Sequence, residues 1–208
     1  MKTIKLAILA LMTIISTTVN SQNKAFATYT NGFGKSYDIT VTGKDTSKYN
    51  IWIDAHSMDV SHKIGGIMVR SKSEDKFIIA LTEAKAKYAE WLVTAKTNGV
   101  KDLYKEMEIK CKGIDGYFAY GRDYHFNFGI KLSFFFVIKE VDGEITYRLV
   151  AKTGEMTASD NQFMEVDGVA LVFNDEKEID SFINTINHKK IIEYLSKPKA
   201  EDLFKNYV

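Results

Sequence analysis

The sequence predicts an α+β domain: a curved or sandwich-like antiparallel sheet with one long internal helix and a C-terminal helix. Three observations predict it. Many short segments alternate apolar and polar residues with a period of two, Asp142-Gly143 and Asp167-Gly168 punctuate them, and only two segments show helical spacing. No strand-helix-strand alternation is present, so a doubly wound parallel sheet is not expected.

The chain opens on Lys2 and Lys5, then an uncharged apolar run from Leu6 to Ile15, then small and polar residues. That order is a secretory leader, and its apolar core falls well short of the ~20 residues a membrane-spanning helix needs. Val19-Asn20-Ser21 places small residues for cleavage after Ser21, and Ala25-Phe26-Ala27 offers a later site. The expected division is a leader over 1–21 and a single domain over 22–208, periplasmic or extracellular. No cysteine stands near the cleavage region to carry a lipid anchor, and no later stretch is apolar enough to span a bilayer.

The first strands are short. Tyr37, Ile39 and Val41 alternate with Asp38, Thr40 and Thr42; Tyr49, Ile51, Ile53 and Ala55 alternate with Asn50, Trp52, Asp54 and His56. Further strands are expected over Lys63–Arg70, Glu106–Lys112 and Tyr117–Gly121. Ser71-Lys72-Ser73-Glu74 reads as a capping box that starts a helix. Its apolar stripe is Phe77, Leu81, Ala84, Tyr88, Trp91, Leu92 and Ala95, and Asn98-Gly99 closes it. A competing pattern splits this segment into a strand over Phe77–Leu81 and a helix after Thr82.

From Tyr124 to Ile138 every even position is apolar or aromatic, which predicts one long strand with a single buried face. Asp142-Gly143 is a favoured pair for a two-residue type I′ turn. Folding back there sets Ile138 against Tyr147, Phe136 against Leu149 and Phe134 against Ala151, and a slip of one residue would turn them all outward. Val169–Phe173 is apolar throughout and reads as a strand buried on both faces. Asp175-Glu176-Lys177-Glu178 is a second capping box, opening a helix that buries Ile179, Phe182, Ile183 and Ile186. It continues or restarts through Ile191, Ile192 and Leu195 before Pro198 stops it.

Composition narrows the function classes. Lys plus Arg number 28 against 27 for Asp plus Glu, and removing Lys2 and Lys5 takes the formal charge from +1 to −1. A balanced field of that kind gives no electrostatic pull toward nucleic acid. One cysteine excludes a disulfide framework.

No cofactor fingerprint is present. Asn31-Gly32-Phe33-Gly34-Lys35-Ser36 contains a Gly-Lys-Ser, but Tyr29 stands where a phosphate-binding loop needs its first glycine, and a strand rather than a helix follows. The segment reads as a turn between strands. Cys111, between Lys110 and Lys112, reads as a small apolar core group.

Two groups of residues carry candidate chemistry. Tyr117, Phe118, Tyr120, Tyr124, Phe126 and Phe128 crowd one hairpin around Gly121-Arg122-Asp123, with one aromatic row directed to the core and the other outward. Trp52, Tyr117, Tyr120, Arg122, Tyr124 and His125 are the candidate contacts of an exported, non-enzymatic binding or interaction module, its partner a protein, a glycan or a small apolar ligand. Asp54, His56, Asp59 and His62 are the alternative: a divalent-metal set for a metal-assisted hydrolase, if the loop folds back. A third reading is a carrier whose alternating apolar positions line a space inside the curved sheet.

Overall fold

The computed structural model describes residues 25–43 and 45–197. The leader and Pro198 lie outside the described residues. The first half of the fold comprises β1 (Ala27–Thr30), β2 (Ser36–Gly43), β3 (Tyr49–Asp54), β4 (His56–Ser57), β5 (Gly65–Arg70) and the long helix α1 (Glu74–Thr97). Two very long strands follow, β6 (Leu103–Tyr120) and β7 (Asp123–Val141), then β8 (Glu144–Thr153). The chain ends in β9 (Met156–Ala158), β10 (Asn161–Val166), β11 (Val169–Phe173), α2 (Glu176–Thr185) and α3 (His188–Leu195).

Nine strands form one antiparallel sheet in the order β1-β2-β3-β5-β6-β7-β8-β11-β4, and β9 and β10 form a separate hairpin. The sheet is strongly curved. β3 pairs with β2 and β5, yet β4, which begins one residue beyond its end, pairs with β11 at the far edge. One continuous run of chain therefore passes from the middle of the sheet to its rim. Ala55 between them donates its N–H to the Gly65 carbonyl (2.9 Å), and at the same rim Gly32 donates to Val172 (2.7 Å).

The concave side of the sheet holds the core. Ile39, Ile51, Ile53, Ile67, Val69, Leu132, Phe134, Phe136, Ile138, Leu149 and Leu171 point into it and are fully or almost fully buried. Helix α1 fills the concavity with Phe77, Leu81, Ala84 and Tyr88, the stripe its spacing predicts. Phe136 meets the rings of Tyr88 (5.5 Å) and Trp91 (6.0 Å) edge-on. The alternating positions expected to line a carrier's interior are thus occupied by helix side chains. Each such buried aromatic contributes about 1.5–3 kcal/mol of transfer free energy.

The β7–β8 hairpin has the expected register, Ile138↔Tyr147, Phe136↔Leu149 and Phe134↔Ala151. Asp142 (φ 52°) and Gly143 (φ 83°) both adopt the left-handed conformation that the turn requires.

Several expectations are corrected. α1 is continuous from Glu74, so Phe77–Leu81 is helix and not strand. The Ser71–Glu74 capping box does not form. Ser71 instead donates to the Ser47 carbonyl (3.2 Å), Ser73 to the Gly113 carbonyl (3.0 Å), and Glu74 is drawn into the interior. The segments over Glu106–Lys112 and Tyr117–Gly121 are one strand, β6. The C-terminal helix, by contrast, takes the second of its two expected forms and restarts, because Asn187 caps α3 by accepting the Lys189 N–H (3.0 Å).

The largest correction concerns the long strand from Tyr124. Leu132, Phe134, Phe136 and Ile138 face the core as expected, but Tyr124, Phe126 and Phe128 face the opposite, convex side. β6 carries one extra residue at Gly113 (φ 78°) and β7 one at Gly129 (φ 68°), so both strands of the hairpin switch faces together. Beyond these paired bulges the register resumes with Tyr117 opposite Phe126 and Phe118 opposite His125.

Candidate functional site

The face switch builds an aromatic strip on the convex side of the sheet. Asp115 holds it in place: its Oδ1 accepts the Gly129 N–H (2.9 Å) and its Oδ2 lies 2.7 Å from the Arg70 guanidinium. Arg70 in turn sits 6.0 Å over the Phe128 ring. Phe126 and Phe128 are parallel, with centroids 6.0 Å apart. Trp52, one strand pair away, meets Phe126 (5.9 Å) and Tyr117 (5.4 Å) edge-on, and its indole N–H is anchored on the Thr42 hydroxyl (2.8 Å). Tyr124 lies 6.4 Å from Tyr117. Tyr124, paired with Ala119, is 58% exposed, and Phe128, in the β7 bulge beside Gly129, is 56% exposed.

At one end the strip meets a polar cleft. Asp54, Gly66 and Tyr117 form a row across β3, β5 and β6. Because Gly66 has no side chain, the Tyr117 ring crosses it and donates its hydroxyl to Asp54 Oδ1 (2.5 Å). Tyr117 is only 4% exposed as a result. Lys35, Ser36, Asp38, Asp54, Lys63 and Gly65 enclose a cleft of about 230 Å³. Burial raises the Asp54 carboxyl above its ordinary pKa, and the Asp38 charge adds to this against the opposing Tyr117 hydrogen bond. Among the described residues, neither Lys35 nor Lys63 is paired with a carboxylate.

No protein-family model, curated protein or solved structure matches this chain.

Of the residues singled out in the sequence, Trp52, Tyr117 and Tyr124 come together on the strip. Tyr120 sits at the hairpin tip, stacked on His62 at 4.4 Å, and Arg122 is exposed in the two-residue turn beyond it. His125 goes elsewhere. The face switch turns it to the concave side, 9% exposed, where Nδ1 lies 3.2 Å from Asp160 beneath the β9–β10 hairpin. Phe126 and Phe128, read as core from their alternation, belong to the strip.

The proposed metal set does not converge. Asp54 is engaged by Tyr117, His56 Nδ1 lies 3.4 Å from the Tyr37 hydroxyl, and Asp59 accepts the backbone N–H groups of Ser61 (2.7 Å) and His62 (3.0 Å). Among the described residues, no three His, Cys, Asp or Glu side chains form a metal-holding group. The short turn at 58–62 is closed by its own hydrogen bonds and does not carry Asp59 and His62 back over Asp54.

Two further groups complete the inventory. Cys111 is buried and its thiol is pushed up to about 11, which leaves it protonated and unreactive at neutral pH. Glu74, 2% exposed at the start of α1, accepts the Tyr49 hydroxyl, and His188 Nδ1 lies 2.6 Å from that hydroxyl at the start of α3. Burial and the Glu74 carboxylate raise the Tyr49 pKa, so its hydroxyl stays a donor. These three groups tie the C-terminal helix to the sheet.

Proposed function

We propose that the mature chain is an exported binding module, without catalytic activity, and that the convex aromatic strip is its recognition surface. One observation carries the reading: Tyr124 and Phe128 hold more than half their surface in water, Tyr124 from a paired strand position and Phe128 from the β7 bulge, on the same face as Trp52 and Phe126. Rings already ordered by the sheet lose little conformational entropy when a ligand stacks on them. The sheet supplies rigidity, and the paired bulges turn the rings outward.

The test is selection of ligands for residues 22–208 from immobilised glycan and displayed-peptide libraries, repeated with the double variant Tyr124→Ala/Phe128→Ala. Selected ligands should bind the variant at least tenfold more weakly, with its thermal unfolding unchanged. Ligands that bind both proteins equally would refute the assignment of this face.

Export rests on the leader pattern, and the fold favours cleavage after Ser21 over cleavage after Ala27. Phe26 packs edge-on against Tyr194 (5.1 Å) and Ala27 pairs with Ile39 in β1. Cleavage at the later site would remove both contacts. Mass spectrometry of the secreted protein should give an N-terminus at Gln22; an N-terminus at Thr28, or retention of Met1, would contradict this.

A further inference from the structure

The aromatic strip ends on charges of both signs, and that pairing selects a ligand chemistry. We infer that the convex face takes a neutral oligosaccharide, one sugar ring stacked on the strip beside Trp52 and the next presenting vicinal hydroxyls to the cleft of Asp54, Asp38, Lys35 and Lys63. The inference rests on the reading of this face as the binding surface.

The cleft chemistry disfavours apolar occupants. Asp54 and Asp38 offer only acceptors when ionised, and Lys35 and Lys63 offer only donors. A lipid chain or an apolar peptide face laid across them would strip water from four charged groups and return nothing. A hydroxyl both donates and accepts. A vicinal pair therefore satisfies a carboxylate oxygen and an ammonium together, with no net charge to neutralise.

The cleft is built for such a partner. Tyr117 occupies Asp54 Oδ1 and leaves Oδ2 unengaged by any described hydrogen bond. Lys35 and Lys63 are not drawn into ion pairs with Asp38 or Asp54 across the same cleft. At about 230 Å³ the cleft is below the range of a pocket that swallows a whole ligand, so the rest of an oligosaccharide would lie on the open strip beside it. The strip beyond it extends the contact along the strand direction to Phe128.

The chain contains two tryptophans, and only Trp52 lies on this face; Trp91 is on α1. In a Trp91→Phe background Trp52 is a single fluorescent reporter for the site. Residues 22–208 in that background are titrated with cello-, xylo-, laminari-, malto- and chitohexaose, with an alginate oligomer as the anionic probe and a Trp/Tyr-rich peptide as the protein-like probe. The expected result is a saturable change in Trp52 emission with at least one neutral hexaose. Its affinity should fall at least tenfold in Tyr124→Ala and at least threefold in both Asp54→Asn and Lys63→Ala, with unfolding temperatures unchanged in the Tyr124 and Lys63 variants.

Binding of the peptide alone, lost in Tyr124→Ala, would overturn the sugar assignment and leave the recognition face standing. Tightest binding by alginate, insensitive to Asp54→Asn, would overturn the neutral class in the same way. A hexaose whose binding ignores Tyr124→Ala would overturn both this inference and the face on which it rests.

Discussion

Gly66 is where stability and the recognition face meet, and Gly66→Ala tests that coupling. A methyl group there would fall against the Ile53 carbonyl oxygen and the Tyr117 hydroxyl. The carbonyl belongs to a paired strand and cannot yield, so the phenol must move. Overpacking of this kind costs about 1–3 kcal/mol. Displacing the phenol also removes its hydrogen bond to the half-buried Asp54, a further ~1.5–3 kcal/mol for a bond to a charged group, with solvent access to Asp54 favouring the lower end. The expected total is about 3–5 kcal/mol.

The matched control is Tyr117→Phe, which deletes only the hydroxyl and should cost about 1–2 kcal/mol. Urea unfolding followed by far-UV circular dichroism gives both values, and Trp52 emission reports the packing of the strip. A Gly66→Ala protein within 0.5 kcal/mol of the parent would refute the claim that the glycine exists to let Tyr117 through. Equal losses in the two variants would assign the whole effect to the hydrogen bond and none to the backbone slot.

Phe136→Ala should cost about 3–5 kcal/mol, since the ring is buried between Tyr88, Trp91 and Leu149; denaturant unfolding measures it, and a loss under 1 kcal/mol would mean the concave side is not packed as described. Asp54, with its folded pKa raised, favours the folded state below the ordinary carboxyl range and loses that contribution as pH rises through the raised value. Stability of the parent relative to Asp54→Asn should therefore decline from pH 3 to pH 8, and a ratio that rises instead would reverse the sign of the burial effect. Cys111 should resist a thiol reagent at pH 8 for an hour and yield one equivalent on denaturation, whereas rapid native labelling would contradict its burial. Gly143→Ala should lose about 1 kcal/mol, because alanine resists the left-handed conformation at φ 83°; an unchanged midpoint would mean the turn relaxes freely.

The parts of the fold that were legible in the sequence are those where local and long-range signals coincide. In the β7–β8 hairpin the Asp142-Gly143 turn and the alternation on both strands specify the same register, and the structure has that register. The stripe on α1 was legible for the same reason, since one helical face meets one continuous core. Gly113 and Gly129 defeated the alternation because a bulge costs the sequence only one residue in each strand. Nothing local marks a glycine as left-handed until its partner, here the Asp115 carboxylate on the Gly129 N–H, is in place.

The same switch explains what happened to the candidate site. Alternation places Tyr124, Phe126 and Phe128 on the buried face, although Tyr124 and His125 both count as candidate contacts; the switch sends the three rings outward and His125 inward. The signal in the sequence is a glycine on each side of the turn: Gly129 interrupts the polar row of its strand seven residues after Arg122, and Gly113 lies eight residues before Gly121. The Glu74–Tyr49–His188 group carried no signal at all. Its members come from three elements distant in the chain, and Ser71 offered a plausible but unrealised partner for Glu74.

The passage of β3 into β4 has a consequence for how the molecule behaves in a crowd. Carrying one stretch of chain from mid-sheet to the rim leaves the two outermost strands only four and two residues long. The two longest strands, β6 and β7, pair with each other along most of their length inside the order of the sheet, but β5 flanks β6 only over Asp115–Phe118 and β8 flanks β7 only from Leu132 onward. The backbone left open to a stranger is the stretch of β6 before Asp115, and there Lys105, Glu106, Glu108, Lys110 and Lys112 set charges against any chain that would zip onto it.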